Sequence, residues 1–119
     1  MTLFDKYGGV NTVITLINNF YSRVFVHPNL RRYFSDVDQE QLKYHQIQYV
    51  AYLLGKPLKV FPDGYVKNAH HRVEITAHSF DQVATIFREE LMSMGVEMPD
   101  VDTVMGLIES HRKHVVTRA

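Results

Sequence analysis

Apolar side chains that return every three to four residues constrain this chain more than any other feature. Over residues 10–25 they read Val10, Val13, Ile14, Ile17, Phe20, Tyr21, Val24 and Phe25, the i, i+3, i+4, i+7 pattern of a helix with one buried face. Over residues 38–54, Leu42, His45, Gln46, Tyr49 and Leu53 share one side while Ile47, Val50 and Leu54 define a second. Apolar positions on two sides predict a helix packed on both, with His45 and Gln46 as a polar notch in one wall. Ser79 to Gln82 fits a capping box ahead of a third stripe, Phe80, Val83, Ala84, Phe87, Leu91 and Met94, with Gly95 as its stop. Pro99 suits the first turn of a fourth helix, whose stripe is Val101, Val104, Met105, Ile108, His111 and Val115. Gly8 and Gly9 set off a short opening segment, and Pro28 ends the first long helix because the residue before proline avoids the α region. No stretch alternates as a strand does. The prediction is an all-α fold of four long helices of roughly 15 to 18 residues, with an irregular connection over residues 55–64.

Two histidines lie on either side of that connection, His45 on the second long helix and His70 beyond it. In a helix beginning near Tyr65, Val66, Ala69, His70 and Val73 share one face and Lys67, His71 and Glu74 the other, so His70 points inward and His71 meets water. Burying an unpaired polar group costs about 1 to 3 kcal/mol, so inward imidazoles need partners. Two readings are open. Each histidine is a core residue bonded to a backbone carbonyl, or the two imidazoles lie on opposite sides of one flat cofactor, with Tyr21 and Gln46 also turned inward.

At 119 residues the chain is predicted to form a single domain, residues 1–119. Its 13 basic and 13 acidic residues cancel, so no electrostatic footprint for nucleic acid or an anionic membrane is visible. Without cysteine there is no disulfide framework and no thiolate metal site. The opening residues lack the apolar core of a signal peptide and no run reaches the roughly 18 apolar residues of a membrane span, so the expectation is a soluble cytoplasmic protein. A Gly-rich phosphate loop, an H-E-x-x-H zinc helix and a G-x-S-x-G elbow are all missing, which removes support for nucleotide and hydrolytic chemistry. A di-iron bundle needs matched ligand pairs on several helices, and His70 with Glu74 provides one pair without a second. His111 and His114, an i, i+3 pair, read as helix-surface or edge residues.

An ordered set of short motifs then resembles a family. Tyr-Gly-Gly at residues 7–9, Phe-Tyr-Ser-Arg-Val at 20–24, Tyr-Phe-Ser-Asp-Val-Asp at 33–38, Leu-Lys-Tyr-His-Gln at 42–46, Ala-His-His-Arg-Val-Glu-Ile-Thr at 69–76 and Met-Gly-Val at 94–96 are similar to group I truncated haemoglobins. Each motif alone is weak; their order and intervals are specific, and they span residues 3–104. The resemblance implies a truncated globin, a two-over-two α-helical sandwich around haem b, with a shortened first helix and an extended segment before the proximal histidine.

Carried over position by position, the resemblance makes His70 the proximal iron ligand and Phe34 the aromatic residue packed on the haem face. Tyr21 matches the distal tyrosine whose hydroxyl donates to bound O2, Gln46 a glutamine of the same network, and Leu42 the apolar residue at the pocket mouth. His45 falls where some cyanobacterial members have a histidine that ligates iron as a sixth ligand when gas is absent. Phe61, Val66, Ile75 and Phe80 are the remaining expected haem contacts. The implied ligands are O2, NO and CO, and the implied chemistry is dioxygenation of nitric oxide to nitrate by a monomer served by a separate electron-donating reductase, with Tyr21 and Gln46 as its catalytic residues. The alternative is a bis-histidyl haem protein for redox or gas sensing. The chain departs from many members at Gly55-Lys56, where they have Gly-Gly, and by a loop one residue longer before His70. Where some cyanobacterial members attach haem through a histidine of the last helix, a gapless match places Lys113, so no such link is expected.

Overall fold

The computed structural model describes residues 2–34, 38–55 and 75–116, and every structural statement below concerns those residues. They are all-helical. A single turn, α1 (Leu3–Lys6), is followed by α2 (Val10–Val24), a 3-10 turn at Arg31–Phe34, α3 (Gln39–Leu53), α4 (Ala77–Ser93), α5 (Met98–Ser110) and a last turn, α6 (Arg112–Val115).

Each boundary has a local cause. Thr2 caps α1 by accepting a hydrogen bond from the Asp5 amide at 3.1 Å, and Asp38 caps α3 by accepting from the Gln41 amide at 3.1 Å. Between α1 and α2 the chain reverses through Gly8 and Gly9 at φ 107° and 74°, a left-handed conformation that side chains with a Cβ rarely adopt. Helix α4 ends at Gly95, φ 84°, and Pro99 sits in the first turn of α5 as its missing N–H allows. The start of α4 corrects the sequence reading: Thr76, not Ser79, is the N-cap, its hydroxyl accepting from the Ser79 amide at 3.0 Å.

Helix α2 is the spine. It buries Val13, Leu16, Ile17, Phe20, Tyr21 and Val24, and burial of each large apolar side chain is worth about 1.5 to 3 kcal/mol. Val10 and Ile14, expected on the same stripe, are exposed; Leu16 is buried in their stead. The main packing joins α2 to α3, α2 to α4, and α4 to α5, which gives two helix pairs sharing the α2–α4 contact. Val50 and Leu54 of the α3 region, Ile86, Phe87 and Leu91 of α4, and Val101 and Val104 of α5 complete the buried cluster. Helix α3 approaches α4 and α5 far less closely than it approaches α2. Opening turn α1 is pinned to both ends of this framework: the Phe4 amide donates to the Leu54 carbonyl at 2.9 Å, and Lys6 Nζ reaches Asp100 at 2.8 Å. No described helix is long and apolar enough to cross a membrane.

Candidate functional site

At the C-terminal end of α2 the i, i+4 spacing of Tyr21 and Phe25 and the following 3-10 turn bring three aromatic rings to one corner. Tyr21, 3% exposed, stacks on Phe25 with centroids 5.0 Å apart and meets Phe34 of the 3-10 turn edge-on at 5.8 Å. Phe25 and Phe34 meet at 5.5 Å. Such offset and edge-on pairs add about 0.5 to 1.5 kcal/mol each beyond area burial, so the ring positions are well determined. Phe25 and Phe34 remain half-buried, as do Leu42 and Ile47 of α3 and Val83, Met105 and Ile108 of α4 and α5, all packed against the core from outside.

Helix α3 presents Leu42, Gln46 and Tyr49 at i, i+4 and i+7, each half-buried. His45, expected in the same wall, is exposed, with its ring 5.9 Å from that of Tyr44; one step around the helix carries it past the edge of the inward face. Of the other expected contacts, Ile75 is half-buried just before the α4 cap, and Phe80 is 5% exposed with the Arg112 guanidinium 4.5 Å over its ring. Phe61, Val66 and His70 lie outside the described residues, as does the His70–Glu74 pair.

Two polar arrangements were not foreseen. One centres on Ser79, the buried polar residue of the core at 1% exposure. Its hydroxyl meets the Tyr33 phenol at 2.9 Å, the Thr76 hydroxyl at 3.0 Å and the Asn29 amide at 3.1 Å, tying the turn that carries Phe34 to the start of α4. Arg32 adds a donor to the Tyr33 oxygen at 3.0 Å. Burial pushes the Tyr33 phenol up, but its Ser79 bond and the Arg32 guanidinium together hold it below its ordinary range. The other is a contact of 2.5 Å between the Tyr49 hydroxyl and His111 Nδ1, which links α3 to the junction of α5 and α6. Burial raises the Tyr49 phenol well above its usual range, with the nearby Tyr52 acting in the same direction. His111 is thus a half-buried, engaged residue at the helix edge, whereas Lys113 is exposed. A groove of about 640 Å³ between the end of α2 and α4, lined in part by Arg23, His27, His78 and Gln82, contains none of the expected site residues.

The chain matches the family model of the bacterial-like globins over residues 2–117. It belongs to that globin family. Among curated relatives, the group 1 truncated hemoglobin GlbN of Mycolicibacterium paratuberculosis is 28% identical over 116 residues, 98% of this chain and 85% of that protein. The GlbN protein of a Synechocystis species is 28% identical over 124 residues, covering 98% of each. Among solved structures, the 2/2 hemoglobin of Synechococcus sp. PCC 7002, in the cyanomet state with covalently attached haem, superposes with a TM-score of 0.89 at 26% identity over 99% of this chain and all (100%) of that one. The truncated hemoglobin of Tetrahymena pyriformis gives a TM-score of 0.87 at 22% identity, covering 98% of each chain. The two helix pairs are therefore those of a truncated 2/2 globin, and the cofactor of this globin is haem. The described residues fit that group. A porphyrin is flat and largely apolar, and half-buried Phe25 and Phe34, Leu42 and Ile47 of α3, Val83 of α4, and Met105 and Ile108 of α5 offer aromatic and aliphatic surface against the core.

Proposed function

We propose that this globin binds O2, NO and CO at haem iron held by His70, and that it converts nitric oxide to nitrate with a separate reductase restoring the reduced state. Bound haem supplies the iron at which the gases react. Everything else falls to the chain. The observation that carries the reading is the placement of Tyr21: a phenol whose ring is fixed by Phe25 and Phe34 at the end of α2, the helix that packs on α3, where Gln46 is half-buried. A hydroxyl immobilised in this way donates a hydrogen bond without first losing rotational freedom, and the Gln46 amide adds a second donor beside it. Toward a charged acceptor one such bond is worth about 1.5 to 3 kcal/mol. Phe34 and Leu42 supply apolar surface that keeps water from competing for those donors.

Exposure of His45 supports an iron position open to gas over the bis-histidyl alternative, because a side chain turned to solvent must swing inward before it ligates. Cytoplasmic action as a monomer belongs to the same proposal. Rapid mixing of the oxygenated protein with nitric oxide tests it. Stoichiometric nitrate with oxidised haem is expected, and an oxygenated spectrum that persists through the addition contradicts it.

A further inference from the structure

We propose that Tyr49 and His111 form a proton-coupled redox pair that gives one electron to the haem site when hydrogen peroxide oxidises it. This rests on the reading that the α3 face bearing Gln46 adjoins haem. Tyr49 lies on that same face three residues on, about 4.5 Å further along the helix axis at 1.5 Å per residue. Its hydroxyl is 2.5 Å from His111 Nδ1. The pair works with the phenol, kept protonated by burial, as donor and with Nδ1 of an imidazole protonated at Nε2 as acceptor.

A phenol in a dry setting is hard to oxidise if its proton must stay, since the product is a buried radical cation. An imidazole in hydrogen-bond contact removes that obstacle. Neither of two other tyrosines with described hydroxyl partners offers this. The Tyr33 oxygen faces Ser79 and accepts from the Arg32 cation, which opposes electron loss, and Tyr7 is bound to Asp100 in the α1 clamp with Lys6.

The step balances as follows. Bound haem would supply one of the two electrons that break the O–O bond of peroxide and Tyr49 the other, with one oxygen released as water and the second left at the haem site. Tyr49 loses its O–H bond, its proton goes to His111 Nδ1, and a neutral phenoxyl radical with an imidazolium remains. Two equivalents of a small one-electron reductant, a thiol or an enediol, then close the balance: one restores Tyr49 as His111 returns the proton, and the other restores the haem site as the second oxygen leaves as water with two protons from solvent. The outcome is a globin that keeps peroxide damage off its own pocket.

The test is electron paramagnetic resonance of ferric holoprotein mixed with equimolar hydrogen peroxide and frozen within seconds. A tyrosyl signal that narrows with ring-deuterated tyrosine is expected. Its yield should fall at least fivefold in Tyr49→Phe and fall also in His111→Gln, where the phenol keeps a partner but loses the base. Tyr44→Phe and Tyr52→Phe should retain it. Wild-type yield in Tyr49→Phe with the haem absorption band intact overturns the proposal, as does a haem-containing wild type that forms no tyrosyl radical. Should Tyr49→Phe not fold, a fluorinated tyrosine at position 49 must add fluorine splitting to the signal, and an unsplit signal overturns the proposal equally. Failure of the gas-binding reading shows separately, as the absence of a haem band or of an oxygenated form.

Discussion

Helices α2 and α3 have the same length, 15 residues each, yet they do opposite work. Helix α2 buries six side chains on one continuous stripe, whereas α3 buries only Val50, Ala51 and Leu53, all in its last half. The first half of α3 leaves Leu42, Gln46 and Ile47 half-buried. A helix fully covered by protein derives its stability from packing. One covered on a single end is a wall, and the rest of its inner surface is available to a cofactor. Core burial is thereby concentrated on α2, while the first half of α3 keeps inner surface that the proposed function gives to a cofactor, with Tyr21 as the one α2 residue shared by both.

That division of labour breaks most readily at Leu16. Leu16→Ala should cost about 2 to 5 kcal/mol in denaturant unfolding, the range for a fully buried leucine, with or without haem. Leu42→Ala should cost less than about 1 kcal/mol in the haem-free protein, because a half-buried side chain leaves little cavity, and its effect should instead be faster haem loss. Equal costs in the haem-free protein would erase the contrast. Tyr21→Phe sharpens it from the pocket side: O2 dissociation should accelerate at least tenfold, matching a lost hydrogen bond of about 1.5 to 3 kcal/mol, and an unchanged rate in flash photolysis removes Tyr21 from the ligand site.

Ser79 stands between the two regions. Ser79→Ala leaves the Tyr33 phenol, the Asn29 amide and the Thr76 hydroxyl to find other partners, and a loss of about 1 to 3 kcal/mol in thermal or chemical unfolding follows from the stranded groups. The smallest effect belongs to the surface clamp. The Lys6 hydrogen bond, then that of Tyr7, holds the Asp100 carboxyl below its ordinary range. Its contribution is therefore present above the unfolded value, near pH 4 for a carboxylate, and is lost as pH falls through the lower folded value. Melting curves taken between about pH 3 and 7 should show a shallower acid decline for Asp100→Asn than for the natural protein, and parallel declines would refute the clamp.

Local chemistry made much of the fold legible. The Gly8–Gly9 reversal, the stop at Gly95 and the start at Pro99 each depend on one or two residues whose backbone preferences act alone. The N-cap of α4 was misplaced by a turn because Thr76 and Ser79 both present a hydroxyl three residues ahead of a suitable amide. What decides is tertiary: Asn29 and Tyr33, 50 and 46 residues away, claim the Ser79 hydroxyl. Val10, Ile14 and His45 sit at the margins of their stripes, where periodicity cannot tell a buried edge from an exposed one. The Tyr49–His111 contact spans 62 residues and leaves no local trace, although the position of Tyr49 on the Leu42–Gln46 face was readable. For the candidate site, sequence brought forward the residues now found at the α2 corner and along α3, and the resemblance supplied their roles.

Visible absorption of the purified protein, reduced and then exposed to air, tests the central claim most directly. The account predicts a haem band in the reduced state that converts to a stable oxygenated spectrum and persists long enough to be recorded before oxidation. A reduced spectrum of the low-spin, six-coordinate type that neither O2 nor CO alters would contradict it, and place a protein side chain where the gas was expected.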